Sequence, residues 1–126
     1  MVISASPIKL TIQFIDNALD PEERDEQAQT LINELRTIDE VETVSRVLDP
    51  NPPQGNKAIG GVLIGLLTAE ISHENIKGMF HFLSDRLRGK PIELEVEANG
   101  KKLKVTASSR EELEIAIQAA QRFVAT

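Results

Sequence analysis

Two residues, Asn99-Gly100, constrain this chain more than any others. An Asn-Gly pair between two alternating runs is the strongest short-range signal for a type I′ hairpin, because both turn positions need positive φ. Counting outward from the turn sets Val96 opposite Leu103 and Leu94 opposite Val105 on one side. The other side then carries Glu97 opposite Lys102 and Glu95 opposite Lys104. Apolar and opposite-charge pairs agree on one register, and a slip of one residue would spoil all four. The chain must therefore contain an antiparallel pair with one face towards a core and the other towards water.

Other segments carry weaker but readable signals. Lys9 to Phe14 alternates polar and apolar, as a half-buried strand does. Asp20-Pro21-Glu22-Glu23 opens a helix: Asp20 caps, Pro21 suits the first helical position, and the acids complement the positive end of the dipole. Ala28, Leu31, Ile32, Leu35 and Ile38 fall along one face of it. Val41 to Leu48 is rich in β-branched residues and reads as a second strand, stopped by Pro50. This strand–helix–strand unit is long enough for a right-handed parallel crossover. Downstream, Ser72 is placed to cap a helix with Ile76, Met79, Phe80, Leu83 and Leu87 as its buried stripe, and Gly89 as its C-terminal glycine cap. Ser109-Arg110-Glu111-Glu112 reads as a capping box before a last helix, whose stripe is Leu113, Ala116, Ile117, Ala120 and Phe123.

Between these halves lies the polar, proline-rich stretch Pro50-Asn51-Pro52-Pro53-Gln54-Gly55-Asn56-Lys57, which feeds a segment from Ala58 to Ala69 that is apolar or Gly almost throughout. The loop cannot be core and the segment cannot be surface. The segment has 12 residues, against the roughly 20 needed to span a bilayer. It therefore reads as a buried helix, either kinked into the next one or broken from it near Ser72. Gly61 and Gly65 would let another element approach closely, inside the monomer in preference to a dimer seam. The expected architecture is one α+β domain over residues 1–126, with a frayed lead over 1–7. It is a two-layer domain with a four-stranded mixed sheet and helices mainly on one face. The order β-α-β-α-β-β-α differs from the ferredoxin-like β-α-β-β-α-β.

Composition narrows the function. A net charge of −6 opposes nucleic-acid binding, which needs phosphate-neutralising Lys and Arg. Four Phe with no Trp or Tyr leave little for stacking bases. The absence of Cys removes disulfides, thiol chemistry and zinc-thiolate sites, and suits a reducing, cytoplasmic setting. The residues from Met1 to Pro7 lack the basic start and apolar run of a signal peptide, so no membrane association is expected.

Candidate chemistry is sparse. Gly55-Asn56-Lys57 invites a phosphate-loop reading, but a Gly-Lys-Ser/Thr run is missing, and Pro52 and Pro53 remove two N–H donors. Anion binding by free N–H groups and Lys57 at the start of the following helix is less demanding. His73-Glu74 begins like a zinc-protease helix, yet position 77 is Lys, and His81 lies about two helical turns on. The carboxylates are scattered and the serines sit in no nucleophile-elbow context. No catalytic residue, metal or cofactor is expected. The binding candidates are Gln54, Gly55, Asn56 and Lys57.

Taken in order, the proline loop with Gly55-x-Lys57, the glycine-bearing apolar segment, the amphipathic helix to Leu87, the hairpin over 92–105 and the Ser109-x-x-Glu112 helix resemble the effector-associated constant component family of bacteria. The resemblance runs from the first strand to the last helix. It implies a small non-catalytic partner in bacterial conflict or signalling systems, encoded beside effectors such as caspase-like or trypsin-like peptidases or effector-associated adaptor domains. The expected function is thus an adaptor or regulatory component that binds a protein partner through the 50–57 loop and the adjoining helix ends, with a homo-oligomer compatible. The alternative is a small-ligand or anion sensor using Lys57.

Overall fold

The structure, a computed structural model, describes residues 7–48 and 61–125. In chain order the elements are β1 (Ile8–Phe14), α1 (Pro21–Leu35), β2 (Val41–Leu48), β3 (Val62–Ile71), α2 (Ile76–Arg86), β4 (Ile92–Ala98), β5 (Lys101–Ala107) and α3 (Arg110–Ala125). The five strands form one sheet in the order β2-β3-β1-β4-β5, and each neighbouring pair is antiparallel.

The expectation of four strands in a mixed sheet is therefore corrected at one place. The apolar segment before Ser72 is not a helix: from Val62 it is β3. Its buried residues are Gly65, Leu67, Ala69 and Ile71, with Leu66, Thr68 and Glu70 only half-buried between them. That period of two belongs to a strand. Leu66 stands on the open face beside Thr11 and Gln13, so apolar residues occupy both faces of this stretch, and without the alternation of β1 it can be mistaken for a buried helix. Restoring β3 changes the topology. The first six elements are β-α-β-β-α-β with strands ordered β2-β3-β1-β4, the ferredoxin-like arrangement that the sequence reading set aside. β1 and β2 do run parallel, but β3 lies between them, so the crossover unit is split. β5 and α3 extend the sheet and the helical layer.

Local signals explain most boundaries. At α1 the capping box is complete: the Glu23 N–H donates to Asp20 Oδ1 at 2.9 Å and the Asp20 N–H to Glu23 Oε1 at 3.1 Å. Ala28, Leu31, Ile32 and Leu35 are buried, and Ile38 packs partly buried beyond the helix end. Ser72 does not cap α2. Asn75 holds the cap position without a side-chain cap bond, and its Nδ2 donates to Ser72 Oγ at 2.9 Å in the preceding turn. The buried stripe of α2, from Ile76 to Leu87, is as expected. Gly89 lies beyond the C-cap Leu87, in a turn closed by the Lys90 N–H donating to the Leu87 carbonyl at 3.0 Å. At α3 the Glu112 N–H donates to Ser109 Oγ at 3.1 Å, while Glu112 Oε1 accepts from Ser108 N–H, one residue earlier than a capping box requires.

The hairpin register is the expected one at all four pairs. Asn99 has φ 54° and Gly100 φ 76°, as a type I′ turn demands. The ion pair on its open face runs diagonally, however: Lys104 Nζ sits 3.5 Å from Glu93 Oε1.

All three helices cover one face. Ile8, Leu10, Ile12 and Phe14 of β1, with Ile92, Leu94, Val96 and Ala98 of β4, bury their side chains beneath them in a single core. The opposite face carries Lys9, Thr11 and Gln13 beside Glu93, Glu95 and Glu97. Among the described residues no helix is long and apolar enough to cross a membrane.

Candidate functional site

The sequence candidates Gln54, Gly55, Asn56 and Lys57 lie outside the described residues. Their mount does not. β2 ends at Leu48 and β3 begins at Val62, so the 50–57 stretch joins the ends of an edge strand and its neighbour.

That end of the β2–β3 pair is irregular. Arg46 lies opposite Leu67, yet the next pair is Leu48 opposite Val62, so β3 holds several residues in a bulge over a short step of β2. Gly65 sits in the bulge with φ 71°, and a Cβ there would meet the Phe14 carbonyl oxygen at 3.1 Å and Arg24 Cβ at 3.6 Å. The expected close approach at Gly65 is real, and it is an approach of β1 and α1; Gly61 has nothing near it.

Arg46 fills the hollow of the bulge. Nε donates to the Leu66 carbonyl and Nη2 to the Leu63 carbonyl, both at 3.2 Å. The guanidinium also pairs with Asp25 of α1 through two contacts, Nη1 to Oδ2 at 3.2 Å and Nη2 to Oδ1. Asp25 Oδ1 accepts in addition from the Gly65 N–H at 3.1 Å. Asp25 is the buried charged residue of the described chain, 7% exposed. Burial alone pushes its carboxyl up, but the Arg46 hydrogen bond, the Gly65 N–H and the Arg46 charge together outweigh that and hold it below the usual carboxylate range. One residue earlier, Arg24 Nη1 donates to the carbonyls of Leu19 at 2.8 Å and Asp16 at 3.2 Å, tying the β1–α1 connection to the same place.

This end of the β2–β3 pair is thus held to α1 by an ionic clasp, and Leu48, the last residue of β2, stands 70% exposed beside it. Neither Asp25 nor Arg46 is among the residues that the sequence singles out as a candidate site. The clasp is internally satisfied, with no side-chain group left over for chemistry.

The remaining concave features are shallow. A groove of about 340 Å³ between α2 and α3 is lined by His73, Ile76, Lys77, Phe80, Gln121 and Val124. His73 Nε2 is buried there without a hydrogen-bond partner. A second groove, of about 360 Å³, lies between α1 and α2 beside the Arg86–Glu34 pair at 3.2 Å. Among the described residues no three His, Cys, Asp or Glu side chains gather where they could share a metal ion.

No protein-family model matches the chain, and no curated protein does. Among solved structures it is similar to a protein of Nostoc punctiforme described as a "putative dioxygenase", with 16% identity, a TM-score of 0.50, and coverage of 89% of this chain and 94% of that one. A likeness at that identity shows a shared fold.

Proposed function

We propose that this chain is a non-catalytic adaptor or regulatory component, binding a protein partner in a bacterial effector system through the β2–β3 end. The observation that carries this reading is the clasp itself. Asp25, Arg46 and the Gly65 bulge form a largely buried ionic network at the end of the β2–β3 pair, with Leu48 in solvent beside it, and the 50–57 stretch follows Leu48 in the chain. A buried charge pair is costly to desolvate and is weak evidence for stability alone; holding a surface in one geometry is the role that accounts for it here. The family resemblance supplies the class of partner. A dioxygenase reading, borrowed from the structural neighbour's description, would need a set of His and carboxylate ligands with open positions. The described residues do not bring three such groups together.

The test is co-purification with the product of an adjacent effector gene. Lys57→Glu and Leu48→Asp should each leave folding intact and weaken capture, since one inverts a rim charge and the other charges an apolar contact. Calorimetry against inorganic phosphate and common nucleotides runs beside it. Phosphate binding that Lys57→Glu abolishes would replace the adaptor reading with the sensor reading. Capture by both variants equal to wild type would refute the loop as a contact.

A further inference from the structure

We propose that the partner docks by strand addition along the outer edge of β2, as an extended segment with basic side chains at one end and an apolar residue at the other. The proposal deepens the protein-binding reading and rests on it.

The two edges of the sheet are not alike. β5 carries Lys101, Lys102 and Lys104, all exposed. Lysines along an edge are a standard obstacle to pairing, because a strand added there would crowd their charges. β2 has no lysine and no proline. Its eight residues include Val41, Thr43, Val44 and Val47, and its two charged residues are Glu42 and Arg46, of which Arg46 is held in the clasp. Among the described residues no strand pairs with its outer side. In an antiparallel ladder alternate residues turn N–H and C=O outward, so β2 offers a row of free backbone donors and acceptors about 27 Å long.

A groove lies beside that row. Leu35 and Arg36 from α1, with Val41, Glu42, Thr43 and Val44, enclose about 320 Å³ against the strand. A strand added to β2 would turn every second side chain towards this groove, which is how a sheet edge beside a helix reads a peptide.

Charge selects the occupant. Asp39, Glu40 and Glu42 are exposed at one end of β2, where Arg36 also lines the groove, and Leu48 is exposed at the other end. A segment with Lys or Arg at one end and an apolar side chain at the other matches both. A second copy paired about a two-fold axis would set Leu48 beside the acidic end instead, so a different protein fits better.

The experiment is selection of a displayed random dodecapeptide library on the intact protein, followed by fluorescence anisotropy and amide NMR with the selected peptides. Selected sequences should alternate β-branched residues and carry Lys or Arg at one end. Their binding should slow hydrogen exchange at alternate amides of β2 and leave β5 unmoved. Ser45→Lys places on β2 the guard that β5 has, at an exposed position facing away from the helices, and should weaken binding by about tenfold or more. Selection of nothing, of acidic sequences, or of peptides indifferent to Ser45→Lys would overturn the proposal. So would a concentration-dependent dimer that Ser45→Lys dissolves, since β2 would then serve a second copy. If Leu48→Asp abolishes capture of the effector and Ser45→Lys does not, strand addition fails while the adaptor reading stands. If neither does, and Lys57→Glu captures as wild type does, both fall.

Discussion

The β4–β5 hairpin and the β2–β3 pair are both antiparallel, yet they are specified by different physics. β4–β5 runs through seven pairs without a break, around a two-residue turn, and its register follows from side chains that face each other. β2–β3 shifts register twice, at Val41/Thr43 and at Arg46/Leu48, and is held where it breaks by a carboxylate from a helix elsewhere in the chain. The first is a local solution, the second a tertiary one. A regular hairpin can tolerate loss of any single surface contact. A bulged pair clasped by one ion pair concentrates its specification in two side chains.

The largest effect should come from cutting the clasp. Asp25→Ala leaves Arg46 charged, its side chain only 15% exposed, and without its carboxylate, and should destabilise by about 3–5 kcal/mol in urea unfolding. A loss near that of an ordinary surface substitution would show that the two pairs are specified alike. The same carboxyl sets an acid limit. Its folded pKa is depressed, so its contribution is present above the unfolded value of 3.8 and is lost as pH falls through the lower folded value. The wild type should therefore lose stability more steeply than Asp25→Asn below about pH 4, as unfolding midpoints across that range would show.

Truncation within β3 sharpens the comparison next. Leu67 is fully buried beneath the helices, and Leu67→Ala should cost about 2–5 kcal/mol. Leu63 and Leu66 are only half-buried, and their alanine variants should cost clearly less by thermal unfolding. Equal costs at all three positions would return the segment to a uniformly buried helix.

In the hairpin, Gly100→Val forces a β-branched residue to positive φ and should cost about 1–3 kcal/mol through backbone strain. The smallest effect belongs to Lys104→Ala. It removes a pair whose lysine is 60% exposed, and should shift the unfolding midpoint by no more than about 0.5 kcal/mol.

What could be read from the sequence follows the same division. The turn at 99–100, the Asp20 cap and the apolar stripes of the helices are signals within a few residues of one another, and the structure keeps them. β3 was illegible because its first six residues, Val62 to Leu67, are apolar or Gly on both faces, whereas the equally interior β1 puts polar residues on the open face; Thr68 and Glu70 were the available hint. The clasp left its own traces. Asp25 stands three residues before Ala28 on the buried stripe of α1, and Arg46 has the inward parity of Val44 on β2. A charge on each of two apolar faces is the pattern of a buried pair, but nothing short-range says that those faces meet. The loop candidates at 54–57 fall outside the described residues, so the site is legible at its foundation.

The place of β1 in the sheet governs how the chain can be made. Leu10 stands between Ala69 on one side and Val96 on the other. Among the five strands of this sheet, the one made first is thus the central one, and it waits for partners some sixty and some ninety positions downstream. Until β3 emerges both edges of β1 are unsatisfied, and until β4 emerges one still is, a state prone to mispairing. Pairings this distant in sequence also slow the final search, because loops must close before any contact rewards them. The β1–α1–β2 stretch cannot mature by itself, and the sheet closes around β1 only after β4 has been made.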